Sequence, residues 1–140
     1  MAKAAGTQVL AGVPLFAGLS AKHLKRIRDL AEDADYMAGA SLVKEGTEGD
    51  AFYVIIEGLA KVVSGRRTIH RLMPGDYFGE ISLLDGGVRT ASVVSETPLK
   101  VLVIDRKRFL KLLETESGIS LALLEGLART IRRTDRSLAG

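Results

Sequence analysis

The segment from Phe78 to Val93 reads FGEISLLDGGVRTASV, and it carries more structural information than any other part of the chain. Gly79 allows a sharp exit from the preceding strand. Residues Glu80 to Leu84 then have the length of about one helical turn, whose free N–H groups favour an anion in front of them. After a glycine-rich reversal, Arg89 begins the next strand among small residues. A helix N-terminus that faces an arginine predicts a phosphate site made of two independent parts.

Glu80 narrows the kind of anion. A carboxylate beside a phosphate is repulsive, so a site for a bare anion would not carry one at this position. It is useful if the anion is attached to a hydroxylated sugar, because the carboxylate then accepts a hydrogen bond from a sugar hydroxyl while Arg89 and the backbone hold the phosphate. On spacing alone, a surface turn with an incidental Glu80–Arg89 ion pair is an equally good interpretation.

On either side of this segment, residues 34 to 105 have the pattern of a β-structure. Short runs rich in β-branched and aromatic residues alternate with glycines, and Ser64-Gly65 is typical of a tight hairpin. The predicted strands are 41–44, 51–57, 59–64, 68–73, 90–95 and 100–105, with a further strand ending near Tyr77. Many short strands at regular spacing predict an antiparallel β-roll.

Helical patterns flank the predicted roll, over residues 6 to 33 before it and 106 to 137 after it. In the first, Ser20 is the expected N-cap of a helix. The predicted apolar face of that helix comprises Leu24, Ile27, Leu30 and Ala31. In the second region, the predicted apolar faces comprise Phe109, Leu112 and Leu113, and then Ile119, Leu123, Leu124, Leu127 and Ile131. We therefore expect a single domain over residues 1–140, in the order helix, β-roll, helix.

The composition excludes several classes of function. The 140 residues are 46% hydrophobic, enough for one packed core, and no apolar run approaches the roughly 18 residues of a membrane span. The chain has no cysteine, which excludes disulfides, zinc–thiolate sites and thiol nucleophiles and fits a reducing cytoplasm, where we expect the protein to be. A net charge of +3 is too small for a strongly electrostatic binder of nucleic acid.

The sequence contains no recognisable catalytic motif. A cupin-type metal enzyme needs clustered histidines and carboxylates, but His23 and His70 are separated between a helical region and a strand. No Gly-x-Ser-x-Gly nucleophile motif is present. We expect no enzymatic activity, no metal and no cofactor.

The pattern FGEISLL, a short gap and then RTASV closely resembles the phosphate-binding cassette of the cyclic-nucleotide-binding domain family. That family includes the catabolite activator protein, the regulatory subunits of cyclic-AMP-dependent kinase and cyclic-nucleotide-gated channels. The likeness extends over nearly the whole chain, through Val13–Phe16, Gly39–Asp50, Phe52–Gly58 and Pro74–Gly79. It implies a mainly β, jelly-roll-like antiparallel β-roll of eight short strands with N-terminal helices, a short cassette helix and C-terminal helices. Residues 78–93 are called the cassette below.

The resemblance implies a role for each cassette residue. Glu80 would accept from the ribose 2′-hydroxyl, and Arg89 would bind the exocyclic phosphate oxygens. The rest of the expected ligand cradle comprises Gly79, the backbone N–H groups near Ile81, Ser82 and Ala91, and the Thr90 hydroxyl. In some relatives a threonine at this position favours cyclic GMP, yet channel domains with a similar sequence prefer cyclic AMP, so Thr90 permits both.

The resemblance also gives expectations beyond the cassette. Val63, Ile69 and Leu72 are candidates to line the base pocket, and the alternative for such aliphatic residues is a place in the ordinary core. The stretch from Leu127 to Asp135 matches the helix that closes over the base, where Arg133 would stack on the purine or Thr134 would hydrogen-bond to it. An ordinary amphipathic helix with Arg133 exposed is an equally good interpretation.

The expected function is a non-enzymatic sensor of a cyclic purine mononucleotide, with cyclic AMP favoured over cyclic GMP. Its partner would be a protein effector or a fused output domain. No helix-turn-helix follows the roll, so we expect no specific DNA binding by this chain alone. Two alternatives are an interaction module that does not respond to nucleotide and the sensor fragment of a DNA-binding transcription regulator.

Overall fold

The computed structural model describes the backbone of residues 2–139 and the side chains of residues 7–133. Over that backbone, eight short strands lie between N-terminal and C-terminal helices. The helices are α1 (Ala2–Ala11), α2 (Ala21–Leu30), α3 (Glu80–Asp85), α4 (Arg106–Thr115) and α5 (Ser117–Ala139), with a 3₁₀ turn at Pro14–Phe16. The strands are β1 (Glu32–Tyr36), β2 (Ser41–Val43), β3 (Ala51–Glu57), β4 (Ala60–Ser64), β5 (Arg67–Leu72), β6 (Tyr77–Phe78), β7 (Ser92–Ser95) and β8 (Leu99–Asp105).

The strands form two four-stranded antiparallel sheets, in the orders β1-β8-β3-β6 and β2-β7-β4-β5. The predicted β-roll with flanking helices is confirmed. The expected hairpin at Ser64-Gly65 joins β4 to β5, with Gly65 at φ +61°. Strand β1 was not predicted individually, because its sequence EDADY is polar and lies at a sheet edge, where little of it is buried.

Strand β3 separates two hydrophobic cores. Alternate side chains of a strand point to opposite faces, and in β3 both faces are covered. Phe52 and Val54 lie in the core shared with the helices, whereas Tyr53 and Ile55 lie in the core between the sheets. Burial on both faces explains why β3 reads as an uninterrupted apolar run.

The N-terminal helices close one end of the helical core. The Ser20 side chain caps α2 by accepting a hydrogen bond from the His23 backbone N–H at 3.2 Å, as predicted. Ile27 is fully buried and Phe16 stacks edge-on to Phe52 at a centroid distance of 5.8 Å. These contacts fix the helices against the sheet that contains β3.

The apolar face of α5 is narrower than its sequence predicts. Ile119 and Leu123 are buried, but Leu124 and Ile131 are 63% and 60% exposed. Leu124 follows Leu123 by one residue, about 100° around the helix, and so it points away from the protein. The helix contacts the body at Gly126, which approaches the carbonyls of the Pro14–Phe16 turn, and residues 129–133 beyond this contact are exposed. Among the described residues, no helix is both long and apolar enough to cross a membrane.

Candidate ligand-binding site

A cleft of about 500 Å³ lies between the cassette and the sheet that contains β4 and β7. Its volume is within the range of about 300–1,000 Å³ that is usual for small-molecule pockets. The cassette residues that line it are Phe78, Gly79, Glu80, Ile81, Ser82, Asp85, Gly87, Val88, Arg89, Thr90, Ala91 and Val93. All seven predicted ligand-binding residues are therefore brought to one cleft.

Gly79 makes the sharp turn into α3. Its φ of +87° is left-handed, a conformation that side-chain-bearing residues rarely adopt. A Cβ at Gly79 would also clash with the Arg89 guanidinium and lie 2.8 Å from the carbonyl oxygen of Ala51. Glycine is thus required here both by the backbone conformation and by the close approach of Arg89.

Arg89 is held beneath this turn and is only 6% exposed. Its Nη2 donates to the carbonyl oxygen of Ala51 at 2.6 Å, and its Cζ lies 5.9 Å from the centre of the Tyr53 ring. Burial lowers the pKa of Arg89, although the charges of Tyr53 and Asp50 oppose that effect. The guanidinium is therefore a partly desolvated cation that lines the cleft.

Glu80 is the first residue of α3 and also lines the cleft. It is half-buried, and this burial raises the pKa of its carboxyl group. Among the side chains that the structure describes, its carboxylate has neither a hydrogen bond nor an ion pair, and it does not pair with Arg89. The interpretation of an incidental Glu80–Arg89 ion pair is not supported.

The other predicted cassette residues differ in exposure. Ile81 is 64% exposed and Thr90 is exposed, whereas Ser82 is buried with its hydroxyl 3.4 Å from the Gly87 carbonyl oxygen. Ala91 is half-buried. The first-turn N–H groups of α3 lie beside the cleft, since Glu80, Ile81 and Ser82 all line it.

The apolar wall of the cleft differs from the predicted base pocket. Val63, Ile69 and Leu72 are not among the residues that line it; Leu72 is buried in the core between the sheets and Ile69 is 62% exposed. Two valines that pair across β4 and β7, Val62 and Val93, line it instead, together with Val43. Sequence reasoning missed these valines, because strand alternation separates Val62 from Val63 but does not show which of the two faces the cleft.

Only one of the two predicted lid residues, Arg133, has a described side chain. Arg133 is exposed on α5, and no described residue of α5 lines the cleft. The Thr134 side chain lies outside the described side chains. Among the described residues, no group of three or more histidine, aspartate or glutamate side chains is placed to hold a metal ion.

Comparisons with known proteins agree with this geometry. Residues 34–116 match the cyclic nucleotide-binding domain family. The chain is 32% identical over 137 residues to a CRP-like cAMP-activated global transcriptional regulator of Mycobacterium tuberculosis, which covers 94% of this chain and 61% of that protein. It is 38% identical over 111 residues to a cGMP-dependent protein kinase of Caenorhabditis briggsae, covering 74% of this chain and 15% of the kinase.

A solved structure supports the same assignment. The N-terminal domain of a transcriptional regulator from Streptomyces coelicolor superposes with a TM-score of 0.86 at 30% identity, covering 91% of this chain and 95% of that domain. The chain thus spans about three fifths of the regulator and a small part of the kinase that it matches. The family match covers more than half of the chain and coincides with the roll and the cassette. This chain belongs to the cyclic nucleotide-binding domain family.

Proposed function

We propose that the chain is a non-enzymatic sensor that binds a cyclic purine mononucleotide in the cassette cleft, with cyclic AMP favoured over cyclic GMP. The observation that carries the proposal is that Arg89 and Glu80 line the same cleft without bonding to each other. Among the side chains that the structure describes, a buried guanidinium that forms no ion pair and a half-buried carboxylate that accepts no hydrogen bond line the same cleft. One ligand that has both an anion and a hydroxyl satisfies both groups.

The electrostatics of the cleft favour this ligand. Arg89 is partly desolvated, which lowers its pKa. A phosphate placed beside it would form an ion pair in a region of low dielectric and favour the charged guanidinium. Helix α3 has only six residues, so its N-terminus is not an anion site by itself. Its free N–H groups would add to the binding of the phosphate by Arg89. Glu80 needs a neutral donor, and the ribose 2′-hydroxyl is such a donor.

The proposed preference for cyclic AMP rests on how much of this chain is similar to each of two relatives. The relative named as cAMP-activated is similar over 94% of the chain, and the cGMP-dependent kinase over 74%. Thr90 lies exposed at the cleft and is compatible with either base. The apolar wall formed by Val43, Val62 and Val93 offers a surface for a purine ring.

Transmission would run from the cassette to the C-terminal helices. Helix α3 contacts α4, and α4 contacts α5, so a shift of the cassette reaches the end of the chain through packed elements. The ligand changes this arrangement only to the extent that it binds one form better than another. In the ligand-bound form, α5 would bring Arg133 or Thr134 to the base. A cytoplasmic protein effector or a fused output domain would receive the signal.

A second candidate is the sensor part of a DNA-binding transcription regulator. It is favoured by the likeness to the regulator from Mycobacterium tuberculosis, of which this chain spans 61%. An interaction module that does not respond to nucleotide is less well supported, because such a module has no need of both Glu80 and Arg89. The free-standing sensor and the regulator fragment would use the same cleft for the nucleotide. The interaction module would bind no nucleotide there.

Calorimetric titration with cyclic AMP, cyclic GMP and 5′-AMP tests the proposal. Arg89→Lys keeps a charge but loses the planar fork of donors. Loss of one of the two charge-assisted contacts, about 1.5–3 kcal/mol, predicts roughly 10- to 100-fold weaker binding of cyclic AMP. Arg108→Lys is the matched control, since Arg108 is exposed and pairs with Glu32 at 2.7 Å, away from the cleft. No heat and no thermal shift at millimolar cyclic nucleotide would refute the proposal.

A further inference from the structure

We infer that Arg106 is a positioning residue that joins the cassette helix α3 to the C-terminal helices; the inference extends the proposed function. Arg106 is the first residue of α4, and its side chain turns back toward the cassette. Its Nη2 donates to the carbonyl oxygen of Leu84 at 3.0 Å. Its Cζ lies 3.1 Å from where a Cβ would stand on Gly86, and φ at Gly86 is +67°, so glycine suits this position both in space and in backbone conformation.

The contact supplies one of the donors at the C-terminus of α3. The last four carbonyls of a helix have no partner inside the helix. At α3, the N–H of Gly86 bonds to the carbonyl of Ser82 at 2.8 Å, and Arg106 supplies the donor for Leu84. A cation at this end also interacts favourably with the helix dipole. In a helix of six residues, one such donor has a large share in fixing the helix position.

Arg106 and Arg89 are attached to neighbouring peptide units. The backbone N–H of Arg106 donates to the carbonyl of Asp50 at 2.9 Å, and the Arg89 guanidinium donates to the carbonyl of Ala51 at 2.6 Å. The start of α4 is therefore bonded both to the end of α3 and to the segment that holds Arg89. A displacement of α4 therefore acts both on α3, which carries Glu80, and on the segment that holds Arg89.

The bonding of Arg106 is incomplete in this form. Its Nε is buried and has no hydrogen-bond partner in the described part of the chain. An unsatisfied buried donor costs free energy, which is recovered in any arrangement that offers it an acceptor. A movement of α3 relative to α4 changes the surroundings of this donor as well as the bond to Leu84, so a ligand that moves α3 also acts on α4 through Arg106.

The test compares Arg106→Met and Arg106→Lys with the control Arg108→Met, first without ligand. Methionine retains much of the side-chain length and removes the donor, while lysine keeps a single charged donor. Amide hydrogen exchange at Leu83 and Gly86 should become about tenfold faster in Arg106→Met, the effect of losing one charge-assisted hydrogen bond, and less so in Arg106→Lys. Arg108→Met should leave both amides unchanged.

The second measurement adds cyclic AMP. We expect the ligand to slow exchange in both α3 and α4 of the wild type, but only in α3 of Arg106→Met, which a merely structural role would not produce. Wild-type exchange at Leu83 and Gly86 in both Arg106 variants would overturn the inference. Absence of cyclic AMP binding by the wild type would overturn the proposed function instead, because the first comparison uses no ligand and still tests Arg106.

Discussion

Replacement of Gly79 by alanine tests the geometry of the cassette turn. The φ of +87° makes alanine unfavourable by about 1–2 kcal/mol. The added Cβ would also lie 2.8 Å from the Ala51 carbonyl oxygen and against the Arg89 guanidinium, an overpacking that costs about 1–3 kcal/mol. We expect Gly79→Ala to lower the free energy of unfolding by about 2–5 kcal/mol. Because Arg89 must move, cyclic AMP binding should also fall at least about 100-fold.

Gly39→Ala provides the matched control. Gly39 has a similar φ of +83°, but nothing lies within 4 Å of the position of its Cβ, so only the backbone cost of about 1–2 kcal/mol applies. The loss of unfolded-chain entropy is the same for both substitutions and cancels in the comparison. Urea unfolding gives the stabilities and calorimetry gives the affinities. Equal stability losses and equal affinities for the two variants would refute the reasoning about Arg89.

Two further predictions concern Glu80. Burial raises the pKa of its carboxyl group in the folded protein, so the fold loses stability as pH rises from the ordinary glutamate pKa of about 4.3 through the raised value. Glu80→Gln should therefore have a higher Tm than the ligand-free wild type, with a difference that grows as pH rises above the ordinary glutamate pKa of about 4.3; a flat or shrinking difference in thermal melts would contradict this. In calorimetry, 2′-deoxy cyclic AMP should bind the wild type about tenfold more weakly than cyclic AMP. Glu80→Gln should discriminate between the two ligands clearly less, and equal discrimination by both proteins would show that Glu80 does not contact the 2′-hydroxyl.

The cassette was predictable because its chemistry is local. Gly79, Glu80 and Arg89 lie within eleven residues of one another, and a turn, a helix start and an arginine suffice to place them around one cleft. The β-roll was predictable for a similar reason, since glycines separate the strands in the sequence.

The apolar wall was not predictable because it depends on strand register. A shift of one residue moves every side chain of a strand to the opposite face, and the pairing of β4 with β5 is irregular between Val62 and Val63. The choice between these neighbours therefore requires the structure. The predicted burial of Leu124 and Ile131 on α5 was wrong for a different reason. Their spacing is helical, but the Pro14–Phe16 turn covers only the side of α5 around Gly126, so both side chains are exposed.

Nuclear magnetic resonance of the ¹⁵N-labelled chain during titration with cyclic AMP tests the central claim most directly. The spectrum resolves the backbone N–H groups of the α3 first turn and the Nε–H of Arg89 separately from the exposed β4–β5 hairpin. We predict that the largest shifts occur at Ile81, Ser82 and the Arg89 side chain, and that shifts at Arg66 and Arg67 are small. Largest shifts at the hairpin, or no shifts at millimolar cyclic AMP, would contradict a nucleotide site in the cassette cleft.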